Sequence, residues 1–133
     1  MKPGPELWSA VDAFVGGLLI PSDPVLEAAL DASTKAGLPP IQVSTCQGKL
    51  LQLLAQLINA RNILEVGTLG GYSTIWLARA LPAGGRLITL ELDPKHAEVA
   101  RANFDRAGVS KSIDLRVGPA IEALPKLHAE RCG

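Results

Sequence analysis

The segment Asn62–Ser73 constrains this chain more than any other stretch: Asn-Ile-Leu-Glu-Val-Gly-Thr-Leu-Gly-Gly-Tyr-Ser. Ile63, Leu64 and Val66 are apolar and partly β-branched, the composition of a buried parallel strand. Gly67, Gly70 and Gly71 follow at once and permit a tight turn and a close approach of backbone to a ligand. Tyr72 to Leu81 then carries helical spacing of apolar residues. A strand, a glycine turn and a helix in that order bind a nucleotide-like cofactor at the carboxyl end of the strand.

Around this unit the chain reads as a run of helices followed by alternating strands and helices. A first helix is expected from Glu6 to about Leu19, with Leu7, Val11, Phe14 and Val15 on one face. Ser22 or Asp23 can cap a second helix that starts at Pro24, runs to about Lys35 and stops at Gly37. Leu38-Pro39-Pro40 breaks the chain, and Ile41 to Gly48 reads as irregular. From about Gln47 a third helix places Leu50, Leu51, Leu54, Leu57 and Ile58 in one stripe, expected to pack in the core ahead of any membrane or partner-helix role. Arg86 to Leu92 is a second strand. Asp93 caps a helix that begins at Pro94 and ends before Gly108. Ser112 to Val117 is a third strand, and Gly118-Pro119 opens a last helix through about His128. The order β-α-β-α-β-α with short connections implies an α/β fold, a parallel sheet with helices on both faces. At 133 residues the chain is expected to form a single domain, residues 1–133, with N-terminal helices over 1–60 and the alternating half over 61–133.

Composition narrows the partners. Thirteen basic residues balance thirteen acidic ones, so nothing argues for nucleic acid or an anionic membrane. The run Ala13–Ile20 is too short to span a bilayer. Lys2, Pro3, Pro5 and Glu6 do not make a signal peptide. Cys46 and Cys132 have no metal-ligand spacing and are expected as free thiols in a reducing cytosol, a cytoplasmic setting.

The turn itself discriminates among cofactors. A dinucleotide fingerprint reads G-x-G-x-x-G, and here Leu69 stands two after Gly67, where a pyrophosphate needs glycine. Glu65 would repel a pyrophosphate and favour a ligand carrying positive charge. S-adenosyl-methionine satisfies both features: its ammonium and sulfonium suit Glu65, and its carboxylate suits the backbone N–H groups and the Ser73 hydroxyl at the helix start. Glu65 taken alone is equally read as a solvated strand-end residue. Glu91 ends the second strand roughly 20 residues beyond the turn, where an acid can accept hydrogen bonds from a ribose. That placement suits NAD as well, so it indicates an adenosine-type ligand without choosing one. The backbone at Gly118-Pro119-Ala120 can meet an adenine edge or form a simple turn.

Together these residues resemble the cation-dependent O-methyltransferases of the caffeoyl-CoA and catechol O-methyltransferase type. The resemblance rests on Glu65-Val66-Gly67-Thr68-Leu69-Gly70-Gly71-Tyr72-Ser73, with Leu57–Asn62, Glu91-Leu92-Asp93-Pro94 and Gly118-Pro119-Ala120 at matching places, and it covers nearly the whole chain. It extends to Val43-Ser44-Thr45-Cys46-Gln47-Gly48, which in the family lies over the methionine end of the cofactor. It implies a Rossmann-like S-adenosyl-methionine-dependent fold with an incomplete sheet. It also implies cofactor contacts from Val43, Glu65, Gly67, Thr68, Ser73, Glu91 and Ala120. Val43 departs from the polar residue often found there, which leaves it backbone or packing contacts only.

The implied activity is methyl transfer to a hydroxyl of a small, catechol-like acceptor, by a homodimer using a divalent cation such as magnesium. The metal lowers the hydroxyl pKa and orients it. The family's metal-binding aspartate, its Asp-Asn pair and its basic residue near the acceptor have no counterpart in these residues. No catalytic or metal-ligating residue is therefore assigned, and the chain is expected to be an N-terminal fragment with its first strand on an open apolar edge. The competing expectations are a cofactor-binding fragment without activity and, behind it, an NAD-dependent oxidoreductase.

Overall fold

The computed structural model describes residues 4–130; the readings made on Lys2, Pro3 and Cys132 lie outside them. The elements are α1 (Pro5–Leu19), α2 (Pro24–Lys35), α3 (Thr45–Leu57), β1 (Asn62–Val66), α4 (Tyr72–Ala78), β2 (Arg86–Glu91), α5 (Pro94–Ala107), β3 (Ile113–Val117) and α6 (Ala120–Ala129), with a 3-10 turn at Ser110–Ser112. All strands are parallel and ordered β1-β2-β3. β2 is the middle strand and is buried from Leu87 to Glu91.

Local chemistry sets most boundaries. The Asp23 carboxylate accepts from Val25 N and Leu26 N and starts α2. Asp93 accepts from Lys95 N and starts α5, and Gly108, in the left-handed region, ends it. α3 begins two residues before the expected Gln47 because Ser44 and Gln47 form a reciprocal capping box. The expected ends shorten by three residues, from Leu81 to Ala78, and by one, from Leu92 to Glu91, the second within the usual fraying of element termini.

Helices cover both faces of the sheet, unequally. On one face Tyr72, Ile75 and Trp76 of α4 and Ala97, Ala100 and Phe104 of α5 pack with Leu115 and with Leu26 and Ala29 of α2. On the other, among the described residues, Ile88 and Leu90 cluster with Leu127, Ala120 and Ala123 of α6. Leu64 and Val66 pair with Ile88 and Leu90 and share that face, yet are 52% and 60% exposed. β1, which among the described residues pairs with β2 alone, thus forms the open apolar edge expected of a fragment, and the burial expected of Ile63, Leu64 and Val66 is not reached.

The α3 stripe also departs from expectation. Leu50, Leu54, Leu57 and Ile58 are exposed, while Gly48 and Ala55 face inward. The reason is steric: a Cβ on Gly48 would stand 2.4 Å from the Trp76 indole. α3 therefore turns its small residues inward against α4, and of the expected stripe Leu51 alone is half-buried. Leu7, Val11 and Phe14 of α1 are likewise more than half exposed. No helix among the described residues is long and apolar enough to cross a membrane.

Candidate functional site

The turn after β1 is wired from two sides. Beneath it, Glu65 accepts hydrogen bonds from Ser73 Oγ (2.7 Å), Thr74 Oγ1 (2.6 Å) and Thr89 Oγ1 (2.6 Å). Thr89 spends its proton on Glu65, so in the 2.6 Å contact between Thr68 and Thr89 it is Thr68 that donates. Burial pushes the Glu65 carboxyl above its ordinary value; the hydroxyls of Thr74, Thr89 and Ser73 pull it back, and the like charge of Glu91 adds to the rise.

Beside the turn, Glu91 is buried at the end of β2. Its Oε2 accepts from Thr68 N (3.0 Å) and Leu69 N (2.7 Å), and its Oε1 accepts from Asp93 N (3.0 Å). One carboxylate thereby clamps the β1 turn to the start of α5. Leu69 is held in the left-handed region at φ 52, a conformation that costs a non-glycine residue roughly 1–2 kcal/mol; the short bond from its N–H to Glu91 offsets that cost. Asn103, fully buried on α5, ties the turn from behind by donating to Gly70 O (2.8 Å).

The three glycines of the turn divide in role. A Cβ on Gly70 would lie 2.0 Å from Ser33 Oγ, and one on Gly71 would lie 2.4 Å from the Phe104 ring. Those two are small because helices pack on them. Of the three, Gly67 alone combines a left-handed φ of 90 with open space, since a Cβ placed on it would meet nothing within 4 Å. The close-approach role read for all three glycines belongs to Gly67.

Gly67 opens onto a cavity of about 330 Å³. Val43, Gly67, Thr68, Ser73 and Glu91 line it together, five of the expected site residues in one place. Glu65 stands outside the lining, under Ser73, whose hydroxyl it holds. Ala120 is elsewhere, opening α6 and packed against the Ile88–Leu90–Leu127 cluster. Ile41, Gln42, Leu69, Tyr72 and His96 also line the cavity, and the sequence alone does not single them out as ligand contacts. A signal for His96 does exist: it lies three residues after the capping Asp93, on the first turn of a helix that starts at a strand end.

Two further cavities, of about 410 and 350 Å³, lie under α1 and meet the first at Tyr72. The Tyr72 hydroxyl donates to Thr45 Oγ1 at 3.1 Å and ties α4 to α3. The smaller space at Gly67 is the better ligand site, because a buried carboxylate and fixed backbone N–H groups converge there. Among the described residues no group of three or more His, Cys, Asp or Glu side chains is placed to hold a metal. Cys46 is a free thiol.

A parallel sheet with this turn at the carboxyl end of its first strand defines a Rossmann-like cofactor-binding fold. A family model described as O-methyltransferase matches residues 21–133, and the chain belongs to that family. It is 56% identical over 128 residues to a catechol O-methyltransferase of Niastella koreensis, covering 96% of this chain and 58% of the relative. A catechol O-methyltransferase of Mycobacterium tuberculosis is 58% identical over 117 residues, covering 88% of this chain and 53% of the relative. The crystal structure of the O-methyltransferase from Bacillus cereus in complex with SAH superposes with a TM-score of 0.92 at 52% identity, over 95% of this chain and 57% of that one. The chain spans a little over half the length of these relatives.

Proposed function

We propose that the chain forms the methyl-donor site of an S-adenosyl-methionine-dependent O-methyltransferase, one that acts on a hydroxyl of a small, catechol-like acceptor. The observation that carries the reading is the cavity at Gly67, where Glu91 braces the turn beside an open glycine backbone. The SAH complex of the Bacillus cereus relative supports the choice of cofactor.

In this reading Glu91 accepts from the ribose, and Gly67 and Thr68 present backbone to the amino-acid end. Ser73, positioned by Glu65, stands beside them, and Val43 closes the cavity by packing. Ala120 contributes from the neighbouring strand end. S-adenosyl-methionine, when bound, supplies an activated methyl group; the chain's own contribution is to orient it and exclude water. Leu69, left-handed and partly buried in the dinucleotide-glycine position, weighs against NAD.

A divalent cation, a homodimer and a cytoplasmic setting belong to the same reading, on the strength of the family alone. No step is assigned to the cation, since the described residues offer no ligand cluster. For these 133 residues alone we propose binding without turnover. Calorimetry with S-adenosyl-methionine and NAD tests the site: binding of the first only is expected, and binding of NAD alone would overturn it. Incubation with a catechol, magnesium and S-adenosyl-methionine is expected to yield no methylated product. Glu65→Gln is expected to weaken donor affinity through Ser73; unchanged affinity would make Glu65 a support of the turn and nothing more.

A further inference from the structure

A ribose diol presents two hydroxyls that need two partners. The Glu91 carboxylate has about four lone-pair positions, and three are taken by the N–H groups of Thr68, Leu69 and Asp93. One position remains, on Oε1. The cavity hydroxyls have already spent their protons, Thr68 on Thr89, Ser73 on Glu65 and Tyr72 on Thr45, so none has a donor left for a ribose. His96 is the polar side chain that meets Glu91 inside the cavity, with Nδ1 3.5 Å from Oε1. Its other nitrogen, Nε2, lies 3.7 Å from Asp93 Oδ2, so the ring sits between two carboxylates. At 3.5 Å the contact with Glu91 is too long to consume the last lone pair.

We propose that His96 is the second ribose partner: Glu91 accepts one hydroxyl of the cofactor's ribose and the His96 imidazole takes the other. The assignment rests on the donor-site reading above and adds to it a residue that sets specificity for an intact ribose diol.

The test is calorimetry of S-adenosyl-homocysteine and its 2′-deoxy and 3′-deoxy analogues against the wild-type chain, His96→Phe, His96→Asn and Gln42→Ala. Gln42 is the amide side chain of the cavity lining. Loss of one neutral hydrogen bond corresponds to roughly tenfold in affinity. The expected result is that His96→Phe weakens S-adenosyl-homocysteine about tenfold, and that one deoxy analogue, weakened on the wild type, loses nothing further on the variant. His96→Asn, which keeps an acceptor, is expected to restore part of the loss. Equal weakening of all three ligands in His96→Phe would mean packing alone and would overturn the assignment. So would wild-type affinity in that variant, or coupling that appears at Gln42 instead. If the wild type binds none of the three ligands, the donor-site reading itself fails and the assignment falls with it.

Discussion

On one side of β1, Glu65 takes three hydroxyl donors from α4 and β2; on the other, Leu64 and Val66 stand more than half exposed. The two sides alternate residue by residue along the same strand. The polar side is satisfied within the chain: Glu65, Thr68, Thr89 and Glu91 form one connected network whose members lie on β1, its turn and β2. The apolar side has no such closure, since α6 covers Ile88 and Leu90 but stops short of their neighbours on β1. The contrast teaches that the Gly67 cavity and the covering of the sheet are separable. The cavity is lined from the first two strand ends, the 41–43 segment and the helices on one face, whatever lies against the other.

Substitutions can break this contrast or sharpen it. The largest effect is expected at Gly71→Ala, where the new methyl meets the Phe104 ring and φ is 83. Overpacking and left-handed strain together predict a loss of about 3 kcal/mol in urea unfolding. Leu90→Ala, on the covered part of the apolar face, is expected to cost about 2–3 kcal/mol. Next comes Asp23→Ala. This removes the α2 cap and the 2.5 Å ion pair with Arg79 at the end of α4. Burial favours the protonated Asp23, but Arg79 and the capping N–H groups outweigh it and hold the carboxyl below its usual range. A loss of about 1–2 kcal/mol is expected.

Glu65→Gln acts through pH. The folded Glu65 carboxyl lies above its ordinary value near 4.5, so the folded chain holds that proton more tightly than the unfolded one. Its contribution is full below that value and is lost as pH rises through the folded value. The wild type should therefore lose stability over that range relative to the variant, as followed by urea midpoints at several pH values. A parallel pH course in the two proteins would remove Glu65 from the account of the polar side. The smallest effect is expected at Val66→Ala, under about 0.5 kcal/mol, although Val66 pairs with the costly Leu90. A loss as large as that of Leu90→Ala would show the two faces to be equally closed.

Legibility in the sequence follows the range of each signal. The bounds of α2 and α5 are plain because Asp23-Pro24, Gly37, Asp93-Pro94 and Gly108 act within a turn of themselves. The Ser44–Gln47 box is equally local, but the prolines before it suggest a longer break and mask it. The exposure of Leu54 and Leu57 is not readable, because amphipathic spacing reports a face and not what covers it; Gly48 under Trp76 decides which face turns inward. The cavity brings Val43 to Glu91 across the fold, as expected of a cofactor site. The place of His96 and the three N–H groups gathered on the Glu91 oxygens appear only once distances are known.

The ligand seat is proposed at the Gly67 turn and not in the larger space under α1. Backbone amide shifts of the isotopically labelled chain, titrated with S-adenosyl-homocysteine, test it directly. The shifts are expected to cluster at Val43, Gly67–Ser73 and Glu91–His96, leaving Leu64 and Val66 unmoved. Shifts centred on Asp12, Gly16 and Trp76, or no shifts at saturating ligand, would contradict it.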